Sequence, residues 1–134
     1  MEVKVVSGDI AKLKLDAIIV NLFEGVETPA GATGAVDQAL GGLIAQLIAE
    51  GEIKGKLNEV TLIHSMGKVA ATRVVVAGLG KEKELTLSKV RGVIAEACRS
   101  LRKVGAKRVG TIAHGALSLI HISEPTRLGM ISYA

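Results

Sequence analysis

Short apolar runs at residues 3–6, 17–22, 60–63, 74–77 and 109–113 are set apart by Gly, Asn and charged positions along the 134-residue chain. Each is rich in β-branched residues and predicts a strand, and those without polar alternation predict strands buried on both faces. Two longer segments carry a helical period instead. Val36, Leu40, Leu43, Ile44, Leu47 and Ile48 recur at the spacing of one helix face, which predicts a single helix capped by Thr33 and stopped at Gly51. Gly41 and Gly42 weaken it by about 1 kcal/mol each relative to Ala. In the second, Val90, Val93, Ile94, Ala97, Leu101 and Val104 share an arc of about 100 degrees, with Arg91, Arg99 and Arg102 turned away. Thr86 caps this helix and Gly105 ends it. The order strand, strand, helix, strand, strand, helix, strand predicts an α/β fold, a mixed central sheet with helices on both faces.

After His114 the pattern collapses. The closing stretch "LSLIHISEPTRLGMISYA" has neither a helical nor a strand period and holds Pro125 in its middle. It is similar to the translation of a transposase-based sequencing adapter, which reads LSLIHISEPTR, then three variable residues, then ISYA. The expectation is therefore one domain over residues 1–116, followed by a non-native tail over residues 117–134. Ser118, His121 and Glu124 can be drawn on paper as nucleophile, base and orienter, but such sites are defined by geometry, and these three residues fall in the tail.

Composition narrows the function classes. Phe23 and Tyr133 are the only Phe, Tyr or Trp residues, which argues against base-stacking sites and requires an aliphatic core. The formal charge of +4 is unchanged when the tail, with its Glu124 and Arg127, is set aside. A surplus that small permits an acidic partner without requiring one. Cys98 is the single cysteine, which excludes an internal disulfide and a cysteine-only metal cluster. No apolar run is long enough to span a bilayer and no signal peptide is evident, so the chain is expected to be cytoplasmic, with no membrane partner.

The front third carries the candidate chemistry, in "SGDI" at residues 7–10, "DAIIVN" at residues 16–21 and "GATGAVDQAL" at residues 31–40. A Gly-rich loop entering a helix offers unpaired N–H groups and the positive end of the helix dipole to an anion. Gly31 and Gly34 would let a phosphate approach the backbone, while Asp9 and Asn21 stand at strand ends where a polar group can be read. The plainer alternative is that the glycines make a tight turn and that Asp9 and Asn21 satisfy loop backbone groups.

These stretches resemble the macro domain, whose ADP-ribose site combines a Gly-Asp-Ile/Val segment, a strand ending in Asn, and a Gly-rich loop followed by Val-Asp. Gly8, Asp9, Asn21, Gly34, Val36 and Asp37 match that plan. Where macro domains continue with two alanines and a second Asn, this chain has "NLFEGVETP". A longer resemblance covers nearly all of residues 2–116, carried by "VNLFEG", "GATGAVDQAL", "EGEIKGKLNE" and "VAGLGK". It is to the N-terminal domain of cytosol-type leucyl aminopeptidases, a domain with a macro-like fold.

That resemblance implies a three-layer sandwich and a structural or assembly role. It also implies a missing catalytic domain in cis, with two zinc or manganese ions, and a homo-hexameric parent that removes N-terminal residues from peptides. It carries no catalytic residue, metal ligand or cofactor onto this fragment. The alternative function is a macro-type module binding ADP-ribose or a related phosphate ligand, through Gly8, Asp9, Asn21, Gly31 and Gly34. His64 and His114, at strand ends, are candidate ligands or bases but are more simply structural, and Cys98 reads as a small buried thiol. Lys89, Arg91, Arg99, Arg102, Lys103, Lys107 and Arg108 could meet DNA phosphates, although a solvated helix face accounts for most of them.

Overall fold

The computed structural model describes residues 1–6, 10–112 and 130–133. Five strands stand where the apolar runs place them: β1 (Glu2–Val6), β2 (Ala17–Phe23), β3 (Val60–His64), β4 (Arg73–Gly80) and β5 (Arg108–Ile112). A sixth, β6 (Met130–Tyr133), pairs with β1. The sheet order is β3-β4-β2-β5-β1-β6, with β3 antiparallel to β4 and every other pair parallel. β2, β4 and β5 lie inside, so residues Ala17 to Val20 and Val74 to Ala77 are buried on both sides, as runs without alternation demand.

The β6 strand corrects the expectation that the closing stretch has no strand. Its pairing uses backbone groups along the open side of β1, and Ile131 and Tyr133 are residue types that suit a strand. His114, Ser118, His121 and Glu124 lie outside the described residues.

Alternate side chains of the central strands feed two aliphatic cores. Val3, Val5, Ala17, Ile19, Val75, Ala77 and Val109 face helix α3 (Leu87–Lys103), which presents Val90, Val93, Ile94, Ala97 and Leu101. Ile18, Val20, Leu22, Val74 and Val76 face the opposite layer, built from α1 (Gly31–Ala39) and α2 (Leu43–Ala49). Burying a side chain of this size stabilises the fold by about 1.5–3 kcal/mol, which is why nearly aromatic-free layers suffice.

Helix α3 starts and stops as its sequence predicts. The Thr86 hydroxyl accepts the Lys89 N–H at 3.2 Å, and beyond the last turn Gly105 takes a left-handed φ of +79 degrees while its N–H donates to Arg102. The first helical segment departs from the reading. It is two helices, broken at Gly41 and Gly42, whose φ values of +76 and +84 degrees are left-handed. The apolar period runs through the break because both pieces bury the same side, so periodicity alone hid it. Thr33 is not the cap: its hydroxyl donates to the Asn21 carbonyl at 2.8 Å. Gly51 does follow α2, with a left-handed φ of +78 degrees.

Candidate functional site

The carboxyl ends of β2 and β4 and the start of α1 enclose a cavity of about 310 Å³, lined by Asn21, Leu22, Phe23, Val26, Pro29, Ala30, Gly31, Ala32, Thr33 and Leu79. Its position outside the carboxyl ends of parallel strands is where open α/β sheets take ligands. Its walls carry no charged residue, and the polar residues along it are Asn21 and Thr33, beside the backbone of the first turn of α1. The N–H groups of Gly31, Ala32 and Thr33 meet no backbone acceptor among the described residues. The Thr33 hydroxyl is already engaged with the Asn21 carbonyl, a bond that pins the helix start to the strand end.

Of the residues singled out from sequence, Asn21 and Gly31 line this cavity. Gly31 has a left-handed φ of +59 degrees, and a Cβ there would meet nothing within 4 Å, so its side faces open space. Gly34 sits one step behind. A Cβ on it would come within 2.8 Å of the Pro29 carbonyl oxygen, so its missing side chain is what lets α1 close on the preceding loop. Gly8 and Asp9 lie outside the described residues.

Asp37 has a role that the sequence reading did not assign. Its Oδ1 accepts the N–H groups of Ile44 at 2.6 Å and Ala45 at 3.4 Å, so a buried carboxylate on α1 caps the start of α2 across the Gly41–Gly42 break. Asp followed a few residues later by Gly-Gly was the available signal.

The sequence reading also missed what holds the other wall. Gly55, Gly78 and Gly80 make a junction of backbones beside Phe23 and Leu79. The Gly80 N–H donates to Gly55 at 2.9 Å, Glu24 donates to Gly80 at 2.9 Å, and Gly78 donates to Glu59 at 2.7 Å. A Cβ on Gly78 would overlap the Lys56 carbonyl oxygen, and one on Gly55 would stand 2.5 Å from that of Phe23. The Glu59 carboxylate closes the loop by accepting the N–H groups of Lys54 and Gly55, each at 2.9 Å.

The remaining candidates lie elsewhere. His64 is exposed at the end of β3, where its Nδ1 accepts the Met66 N–H at 3.0 Å, the work of a turn residue. Cys98 is buried on the core side of α3, and loss of hydration pushes its thiol up to about 11. Arg91, Arg99, Arg102, Lys103, Lys107 and Arg108 are exposed on and just after α3, and Lys89 is half-buried. Arg99 pairs with Glu96, and Lys89 Nζ donates to the Glu84 carbonyl. Among the described residues no three His, Cys, Asp or Glu side chains form a group able to hold a metal ion. Nor is any described helix long and apolar enough to cross a membrane.

Residues 19–116 match the family described as "Cytosol aminopeptidase family, N-terminal domain". The chain belongs to this family. It is 31% identical over 140 residues to a probable cytosol aminopeptidase of Alkaliphilus metalliredigens, an alignment covering 99% of the chain and 28% of that relative. A probable cytosol aminopeptidase of Ralstonia pickettii is 38% identical over 96 residues, covering 72% of the chain and 19% of its own length. The chain thus spans less than a third of the curated relatives it matches.

Solved structures place the fold among macrodomains. The macrodomain of Mycobacterium tuberculosis DarG superposes with a TM-score of 0.69 at 11% identity, covering 98% of this chain and 96% of that one. A Trypanosoma brucei macrodomain in complex with ADP gives 0.61 at 16%, covering 99% and 63%. At such identities the likeness establishes the three-layer fold of this aminopeptidase-family domain and nothing about its ligand.

Proposed function

We propose that this domain is the non-catalytic N-terminal part of a cytosol aminopeptidase and serves its assembly, while the metal-dependent removal of N-terminal residues belongs to a catalytic domain in cis. The observation that carries this reading is the match of residues 19–116 to the family's N-terminal domain. The test is direct. Purified chain incubated with leucine p-nitroanilide and Zn or Mn releases no chromophore; metal-dependent turnover would place the chemistry in this domain and overturn the reading.

A second reading is supported by a different observation. The first turn of α1 and Asn21 border one cavity, and helix-start amides are able to bind phosphate oxygens such as those of ADP-ribose. Calorimetry with ADP-ribose decides it: heat that saturates supports a macro-type module, and no heat at millimolar ligand removes it.

We also read residues 117–134 as translated adapter. The family match ends at Ala116, one residue before that stretch, which supports this. The Alkaliphilus alignment, by contrast, runs through 99% of the chain. The DNA of the source locus beyond codon 116 decides between them: an open frame into a catalytic domain supports our reading, and a genomic copy of the adapter-like stretch refutes it.

A further inference from the structure

The charge of this chain is not spread evenly. β2, β4 and β5 run parallel and start side by side, with Ala17 opposite both Arg73 and Val109. The segments that lead into them meet at that end: the Asp16 carbonyl accepts the Arg73 N–H, and Asp16 Oδ2 accepts the N–H groups of Lys107 and Arg108. Lys12 and Lys14 before β2, Arg73 on β4, Arg102 and Lys103 in the last turn of α3, and Lys107 and Arg108 at the entry to β5 therefore share one pole of the molecule. All but Arg73 are exposed. Asp16 is the one acidic residue in these segments, and its carboxylate is engaged by two amides. Glu2, at the start of β1, pairs with Lys4 at 3.8 Å.

Seven basic residues thus stand at this pole against one acidic, while the remaining sequence holds ten basic against twelve acidic, so the whole surplus of +4 originates here. The fold also divides the basic set read from the sequence. Lys89 and Arg99 are tied to Glu84 and Glu96 along α3, whereas Arg102, Lys103, Lys107 and Arg108 join Lys12, Lys14 and Arg73, which no sequence spacing connects to them.

A field of one sign draws a polyanion, and the residues of the pole select its kind. Protein interfaces deplete lysine and gather aromatic residues at their centre, yet four of these seven cations are lysines. Single-stranded nucleic acid is held by stacking on aromatic faces, and Phe23 and Tyr133 stand at the far ends of their strands. Among the described residues of the pole, Val104 is the one exposed large apolar side chain, too little to anchor in a bilayer. We propose that this pole binds the phosphate backbone of double-stranded nucleic acid without reading its sequence. The ammonium and guanidinium groups replace counterions condensed on the duplex, and release of those ions supplies the affinity. The cavity lies at the opposite, carboxyl end of the strands, so a duplex bound here leaves it open.

Fluorescence anisotropy of a labelled mixed-sequence DNA duplex, titrated with the whole chain, tests this. Expected is a Kd of about 1–100 µM at physiological salt, equal for unrelated sequences, with log affinity falling against log salt at a slope of about −4. Lys103→Glu combined with Lys107→Glu should weaken binding at least about tenfold and flatten that slope by about 2. Lys81→Glu combined with Lys83→Glu makes the same change in net charge just beyond the carboxyl end of β4, and should leave the affinity within about threefold. Lysine acylation of the unaltered chain needs no substitution. Added duplex should shield Lys14, Lys103 and Lys107 and leave the exposed Lys54 and Lys81 as reactive as before. No binding at low salt, an affinity that ignores salt, equal losses in the two double variants, tighter binding of single strands than of duplex, or a preference for phosphatidylserine vesicles over DNA would each overturn the proposal.

Discussion

Two walls of one cavity are built with glycine for opposite reasons. On the α1 side Gly31 faces open space, and only its left-handed φ of +59 degrees calls for the residue. On the β4 side another backbone already fills the position a Cβ would take on Gly78 and on Gly55, the latter also left-handed, while Gly80 combines a left-handed φ of +74 degrees with Leu57 Cβ only 3.1 Å from that position. A Gly-rich motif is therefore no pointer to a ligand until one knows what occupies the missing side chain. Among the described residues the Gly31, Ala32 and Thr33 amides of the first wall meet no backbone acceptor, whereas the second spends its amides on the Gly55 and Glu59 carbonyls and the Glu59 carboxylate.

The sharpest way to expose this difference is Gly78→Ala. The added methyl overlaps the Lys56 carbonyl oxygen, so one of the two backbones must shift to admit it. The expected loss of stability is about 3 kcal/mol, at the upper end of overpacking costs, read from urea unfolding. A loss below about 1 kcal/mol would mean that the 54–59 loop yields easily and that the junction does not set the wall.

Asp37→Ala comes next. It removes the cap of α2 and strands the Ile44 N–H behind the Gly41–Gly42 break, at an expected cost of about 1–2 kcal/mol. Asp37→Asn keeps an oxygen acceptor and should recover roughly half of that loss. If Asn behaves no better than Ala, the charge against the start of α2 matters more than the hydrogen bond.

How far the sequence revealed this molecule follows the same division. The five strands and α3 were legible because burial on both faces, or on one helical arc, writes itself into residue type at fixed spacing. The split of the first helix was not, because Val36, Leu40, Ile44 and Leu47 keep one apolar stripe through the break. Asn21 and Gly31 were recognisable as residues that come together at one cavity, since a strand end and a helix start are local features. The junction was not, because Gly55 and Gly78 are 23 positions apart and only tertiary contact reveals that one backbone needs the other bare.

Gly31→Ala tests the open wall. With nothing near the new methyl, only the left-handed backbone resists it, at about 1 kcal/mol. The expected result is a folded protein with a stability loss about one third that of Gly78→Ala. Equal losses at the two positions would erase the distinction drawn between the walls.

The smallest effect belongs to the opposite end of the sheet, where a carboxylate rather than a glycine ties backbones together. Asp16 Oδ2 accepts the N–H groups of Arg108 at 2.9 Å and Lys107 at 2.8 Å, joining the start of β2 to the start of β5. Those two amides, Arg108 first, hold its carboxyl below the ordinary value. A group depressed in the folded state stabilises above its unfolded value, near 3.9, and loses that contribution as pH falls toward the folded one. Asp16→Asn should therefore cost about 0.5 kcal/mol at neutral pH, a figure kept small because solvent screens this partly exposed group. The difference from the unaltered chain should shrink as the solution is acidified below about pH 4. Gly31→Ala and Gly78→Ala carry no titrating group, so their offsets should hold constant over the same range. An offset for Asp16→Asn that also ignored pH would show that the tie works through shape alone, as the glycine junction does.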